Sequence, residues 1–389
     1  MDLPLQGITV LEFTHTVMGP TCGVVLADLG ADVIRVEPAP DGDHTRRLHG
    51  FATGFFGYFN RNKRCICIDL KRPEGVAVAR DLLARADVLI ENYGPGTMER
   101  LDLGWEQARV ANPRLIYCAL KGFLPGPYEH RPALDEVVQY MTGLAYMTGP
   151  PGRPLRAGAS VIDIMGGVMG DVAILAALRA RDNDGQGRKV TGTLFESSAF
   201  LVGQHMAGEA ASGKPVPPMP ARESAWGIYE TFDTAEGGKL FIGITSDNHW
   251  RAFCDCFGRP ALFADPRFAT NRLRVQNRAV LREYVAEVAG AHDQATLASR
   301  MDAAGIPFSP VNTPSDLFSD PQMLAHALSV RMPNGVMANL PPLALAIDDE
   351  TPGIRMQPPA AGEHTDAVLA EAGYAPERIA ALRAAEVVS

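Results

Sequence analysis

At 389 residues and 46% hydrophobic content the chain can bury a large core, and its length predicts roughly two domains. A formal charge of −9 argues against general nucleic-acid binding, so an anionic ligand needs a local basic site. Apolar stretches are broken by Asp, Gly or Arg short of the roughly 20 residues that cross a bilayer, and the start lacks a basic region followed by an apolar one; a cytoplasmic protein with no membrane partner is expected.

From the N-terminus, short β-branched runs alternate with helical patterns: Gly7–Phe13 then Pro20–Leu29; Asp32–Glu37; Cys65–Leu70 then Pro73–Ala86; Asp87–Glu91; and Leu115–Leu120. This alternation predicts parallel strands with crossover helices, an α/β nucleotide-binding type of architecture. The first strand–helix turn, Thr14 to Pro20, lacks the G-x-G-x-x-G fingerprint, so a dinucleotide cofactor is not supported; Pro20 suits the first helical position. A helix over Ile164–Arg181 and a strand over Val190–Phe195 follow. The proline-rich stretch from Ser212 to Glu223 reads as an extended linker. Beyond it, Gly227–Thr234 and Lys239–Thr245 form a hairpin around Glu236-Gly-Gly238, with helices to about Ala304 and a Pro-bearing passage over Gly305–Asn312. The tail ends in a helical pattern from Pro376 to Glu386. The expected division is a large α/β domain over 1–211, a linker over 212–225, a small α+β domain over 226–318, and a return over 319–389.

Asp163 is a lone carboxylate in the apolar, glycine-rich run Gly158-Ala-Ser-Val-Ile-Asp163-Ile-Met-Gly-Gly-Val-Met-Gly170. A carboxylate there loses water while glycines admit substrate and N–H donors, which suits a nucleophile. Asp is also a preferred N-cap, so Asp163 could equally cap the helix that follows. Arg46, Arg47, Lys63, Arg64, Lys71, Arg72, Arg100 and Lys121 stand at strand ends or in loops, where scattered cations suit a phosphate-bearing molecule or serve as solvated surface charge. His15 is a substrate contact or a hydrogen-bonded structural group. Six cysteines (22, 65, 67, 118, 254 and 256) show no CxxC spacing, and no His or carboxylate cluster has metal spacing, so no metal is expected.

In order, Leu5–Glu12, Gly19-Pro20, Leu29–Glu37, Asn62–Arg64 through Asp69–Lys71, Glu91–Gly96, Asn112–Tyr117, Lys121–Phe123, Asp163, Gly185–Arg188, Asp320–Gln322 and Gly362–Thr365 resemble the class III CoA-transferases, the CaiB/BaiF group. The resemblance implies a Rossmann-like large domain completed by the C-terminal tail, a smaller α+β domain, and an interlocked homodimer. It implies CoA contacts at Thr16, Val17, Met18, Ile68, Lys71, Asn92, Tyr93 and Arg100. Pro38 stands where formyl-CoA transferase has an arginine, leaving Lys71, Arg72 and Arg100 to anchor the CoA phosphates. Asp163 aligns with the catalytic aspartate, which favours the nucleophile over the cap. The implied reaction passes acyl and then CoA through the Asp163 side chain, with a CoA thioester as substrate and no permanently bound cofactor. Oxyanion donors are expected from Gly166-Gly167 or from Gly237-Gly238.

Leu134 stands where the racemase branch has its histidine, which disfavours α-proton transfer; a non-catalytic CoA-binding protein is the alternative of a different class. Lys121–Glu136 with Tyr146–Arg156 look closest to members that handle mesaconate, itaconate, citramalate or malate with succinyl-CoA. The second carboxylate of such a substrate wants an arginine, for which Arg46, Arg47 and Arg156 are candidates. Intramolecular C1–C4 migration in mesaconyl-CoA and formyl-CoA/oxalate exchange are the nearest alternatives.

Overall fold

The computed structural model describes residues 3–222 and 224–389; Glu223, at the end of the expected linker, lies outside them. Two compact units divide the chain, Met1–Ala221 with Pro321–Ser389, and Arg222–Asp320. In the first, six parallel strands, β1 (Thr9–Phe13), β2 (Asp32–Pro38), β3 (Lys63–Ile68), β4 (Val88–Glu91), β5 (Ile116–Lys121) and β6 (Arg188–Thr193), form one sheet in the order β3-β2-β1-β4-β5-β6. Strand β1 is central: Leu11 pairs with Ile34 of β2 on one side and Leu89 of β4 on the other. The strand order reverses there, and open α/β sheets bind ligands beyond the carboxyl ends of the strands at that switch point.

Successive strand residues feed opposite cores, as period two requires. Leu11, Phe13, Ile34, Ile66 and Leu89 pack with the helix Pro73–Leu83 and with Leu369, Ile379 and Leu382 of the tail. Val10, Val33, Val88, Ile90 and Ile116 pack with the helices Met18–Asp28 and Val161–Asp184. The latter helix is long and apolar enough, by length and composition alone, to cross a bilayer, with a mean hydropathy of 1.9 over its most apolar stretch. Sequence reading found no such stretch because Asp163, Asp171 and Arg179 interrupt it. In the fold it is a core helix, burying Ile162, Gly166, Gly170 and Ile174. The tail bridges Val388 to Ile68 beside β3 and helps complete this core.

In the second unit β7 (Ile228–Asp233) and β8 (Lys239–Ile244) pair antiparallel around Gly237, whose φ of 77° needs glycine. Helices Asp247–Cys256, Arg278–Gly290 and Gln294–Ala303 contribute Trp250, Phe253, Leu281, Val285 and Met301 to its core. The passage read as a Pro-bearing loop contains β9 (Phe308–Pro310), paired with β8 at the sheet's edge, where proline is tolerated. A hairpin of β10 (Leu328–Arg331) and β11 (Met337–Leu340) in the first unit, and the helix Leu194–Ser212, carried no distinct signal in the sequence.

Candidate active site

Beyond β1 the chain turns sharply at Thr16, whose φ of 66° is strained for a non-glycine residue. Several contacts hold it. The His15 N–H donates to Asn92 Oδ1 and Asn92 Nδ2 returns a bond to the His15 carbonyl, each at 3.0 Å, tying the β1 turn to the β4 turn. The Thr16 N–H donates to Thr45 Oγ1 at 3.1 Å, and Thr45 in turn donates to Asp43. Asp43 pairs with Arg35, a fully buried guanidinium of β2 that also bonds Glu12 at 2.6 Å and Glu37 at 3.0 Å. A buried ion lattice therefore braces the first turn from below. Sequence reading missed Arg35, though charges at alternate positions of the apolar strand Val33-Ile-Arg-Val-Glu37 were the available signal. His15 stacks on Tyr93, centroids 6.0 Å apart, and its burial pushes its pKa down, favouring neutral imidazole.

Asp163 does not cap its helix. The helix begins at Val161, so Asp163 is its third residue, and the cap comes from another element: Asp135 Oδ2 accepts the N–H groups of Ile162 at 2.8 Å and Asp163 at 3.1 Å. Asp135 is fixed by Gln139 Nε2 at 2.6 Å, and Gln139 Oε1 accepts from the Ala157 N–H at 2.8 Å. The Asp163 carboxyl is half-buried, and no cation pairs with it among the described residues. Desolvation, then the Asp135 charge, push its pKa up to about 7, with Arg156 opposing.

Asp163 faces a cavity of about 510 Å³ at the switch point, lined by His15–Met18, Asn92–Pro95, Leu120–Gly122, Glu129–Asp135 and Leu194. Of the sequence-selected residues, His15, Thr16, Val17, Met18, Asn92 and Tyr93 meet Asp163 there. Lys71, Arg72 and Arg100 follow β3 and β4 on the same strand-end edge of the sheet but outside the cavity lining. Arg72 bonds the Ala385 carbonyl, Arg100 bonds Thr97 Oγ1, and Lys71 is exposed.

Four expectations need correction. Ile68 is 1% exposed, packed in the core with its carbonyl accepting from Ala39, so its side chain offers no contact surface. Arg46 forks onto both oxygens of Glu37, bonds the Pro359 carbonyl and stacks on Phe56, away from Asp163. Arg47 is exposed and bonds the Asp41 carbonyl outside the cavity. Gly166 and Gly167 lie inside the helix, where their N–H groups are taken by the helical ladder, so they cannot present oxyanion donors. Their role is close packing: a Cβ on Gly167 would stand 2.6 Å from the Met18 carbonyl oxygen. Gly237, in the second unit, gives its N–H to the Thr234 carbonyl at 3.1 Å. Arg156 stays near the site, 3.6 Å from Asp135, with its guanidinium bonded to the Ala157 and Ala159 carbonyls.

The cavity wall also holds Lys121 and Leu134, both singled out in the sequence, and two residues that sequence reading had not assigned to a site, His130 and Arg131. Lys121 is ion-paired to buried Glu91 at 2.7 Å and also bonds the Tyr93 carbonyl, fixing that turn. Leu134, 69% exposed, puts an aliphatic group on the cavity wall. Elsewhere, Glu37, Cys65 and Cys67 bring ligand atoms within 4.8 Å of one another, but both Glu37 oxygens are held by arginine, so the group is an ion pair and not a metal centre.

A Rossmann-order sheet thus carries a desolvated carboxylate over its switch point, the place where open α/β sheets bind ligands. The chain belongs to CoA-transferase family III, whose model matches residues 5–365. It is 34% identical to an acyl-CoA transferase of Fusarium pseudograminearum over 97% of this chain and 86% of that protein. It is equally 34% identical to the succinate–glutarate CoA-transferase of Agrobacterium fabrum, over 95% of each. The crystal structure of a CaiB/BaiF family protein from Brucella suis matches with a TM-score of 0.83 and 32% identity, covering 96% of this chain and 100% of that one. The protein is an enzyme of this class, acting on CoA thioesters.

Proposed function

We propose that the enzyme moves CoA from a succinyl-CoA-type donor to a C4–C5 dicarboxylic acid through covalent intermediates on Asp163. The observation that carries this reading is a half-buried carboxylate, unpaired with any cation among the described residues, facing a cavity at the switch point. In the first step an Asp163 oxygen attacks the thioester carbonyl and the C–S bond breaks, giving a mixed anhydride and CoA thiolate. The thiolate then attacks the Asp163 acyl carbon, the anhydride C–O bond breaks, and the donor acid leaves as carboxylate. The acceptor carboxylate attacks the resulting Asp163–CoA thioester, and the two steps run in reverse onto the acceptor. One thioester is broken and one formed, so no external energy source enters the balance.

In this reading CoA lies along the strand-end edge of the sheet. Thr16–Met18, Asn92 and Tyr93 flank its thiol end, and Lys71, Arg72 and Arg100 take its phosphates. Dicarboxylate preference is supported by the Agrobacterium fabrum relative, which is named for succinate and glutarate. We read the working form as a cytoplasmic homodimer, because Val172 at 55% exposure on the Asp163 helix and Phe200 at 72% on the helix Leu194–Ser212 are apolar groups that a second copy would cover. The test is exchange of a radiolabelled acyl-CoA with free acid: Asp163→Ala should cut it about 10⁴-fold or more while CoA still binds. Exchange that survives the substitution contradicts the reading.

A further inference from the structure

We infer that Arg131 is the specificity-determining cation of this site, the group that takes the distal carboxylate of a dicarboxylate substrate; this rests on the dicarboxylate reading above. A dicarboxylate that presents one end to Asp163 carries a second negative charge into a cavity whose wall already holds Asp163, Asp135 and Glu129. That charge needs a partner on the same wall. Elimination leaves one strong candidate among the basic side chains there.

Lys121 is paired with Glu91 at 2.7 Å and bonds the Tyr93 carbonyl. His130 Nε2 stands 3.1 Å from Glu129 Oε1. His15 is disfavoured as a cation by its burial and joins Thr16 Oγ1 through Nδ1 at 2.9 Å. Arg131 has no carboxylate within ion-pair distance among the described residues and is exposed.

It is also held in place. Its N–H donates to the Tyr128 carbonyl at 2.9 Å, and its guanidinium lies over the Tyr128 ring, 4.9 Å from the centroid. That ring is part of an aromatic platform with Phe123 and Phe195, centroids 5.6 to 6.3 Å apart, and Phe123 is buried. A guanidinium stacked on a ring keeps its in-plane donors free, which is the geometry a carboxylate accepts as a fork.

The test compares wild type, Arg131→Gln and Arg131→Lys, each with succinyl-CoA and with butyryl-CoA as donor, and with glutarate and valerate as acceptor. Arg131→Gln should lower kcat/KM about 10- to 100-fold for the dicarboxylate substrates and change the monocarboxylate ones less than about threefold. Arg131→Lys should recover part of the loss, since it restores charge without the fork. A wild-type enzyme that shows no dicarboxylate preference refutes the substrate reading itself. A preference that survives intact in Arg131→Gln, or a loss equal for both substrate types, refutes the assignment of Arg131 alone.

Discussion

The main-chain N–H of Asp163 donates to Asp135 Oδ2 at 3.1 Å, so the carboxylate that caps the helix also stands against the charge of the candidate nucleophile. One side chain thus sets both where Asp163 sits and how tightly it holds its proton. Asp135→Asn keeps an oxygen acceptor for the cap and removes the like charge. The acid limb of kcat/KM against pH should move to lower pH, and an unmoved limb would show that Asp135 acts only as a cap. Asp135→Ala loses the cap as well, costing about 1 kcal/mol of stability.

With its pKa at about 7, Asp163 ionises across the neutral range. If the ionised form attacks, kcat/KM climbs through about pH 7 and levels off about a unit above it. Stability runs the other way. Between the ordinary value of 3.8 and about 7 the folded chain binds more protons than the unfolded one, so Asp163 lowers stability as pH rises through that window. Asp163→Asn removes this slope. Its melting temperature should exceed that of wild type by more at pH 8 than at pH 5. Linkage arithmetic bounds the gain at about 4 kcal/mol, and solvent screening reduces it to about 1–2 kcal/mol.

Lys121 neutralises Glu91, which is 2% exposed and whose pKa burial pushes up. Lys121→Met leaves that carboxylate unpaired and frees the Tyr93 turn. We expect a loss of about 3 kcal/mol in denaturant unfolding together with weaker CoA binding. The double substitution Glu91→Gln with Lys121→Met should recover most of the stability, since no buried charge is then stranded.

Gly167→Ala places a methyl 2.6 Å from the Met18 carbonyl oxygen and 2.9 Å from Thr21 Cβ, both on the helix that starts at the His15 turn. Backbone cannot yield as a flexible side chain does, so the two helices must separate, costing about 2 kcal/mol or more and displacing Asp163 from the turn. Gly203→Ala in the helix Leu194–Ser212 meets nothing within 4 Å and should be neutral or stabilising by up to about 1 kcal/mol. Paired melting curves and exchange rates for the two variants check the contrast.

The parallel sheet was legible because each strand is a short apolar run closed by a polar turn, and β1 to β6 lie within a few residues of their expected bounds. The Asp163 helix was legible in extent but not in its cap: Ser160 makes no side-chain cap, and the acceptor comes from Asp135, a pairing that local sequence does not encode. Arg46 and Arg47 read alike as strand-end cations. The fold separates them, because Glu37 lies close enough in β2 to take both arms of Arg46. Arg131 was hidden for the opposite reason, its loop showing only turn residues until the fold set it on the cavity wall with Asp163.

The most direct measurement is mass-spectrometric mapping of the enzyme trapped with hydroxylamine or borohydride during turnover of succinyl-CoA. The account predicts modification at Asp163, as the hydroxamate or the reduced alcohol, and none in Asp163→Asn. Labelling at another residue, or full turnover with no covalent adduct, would contradict it.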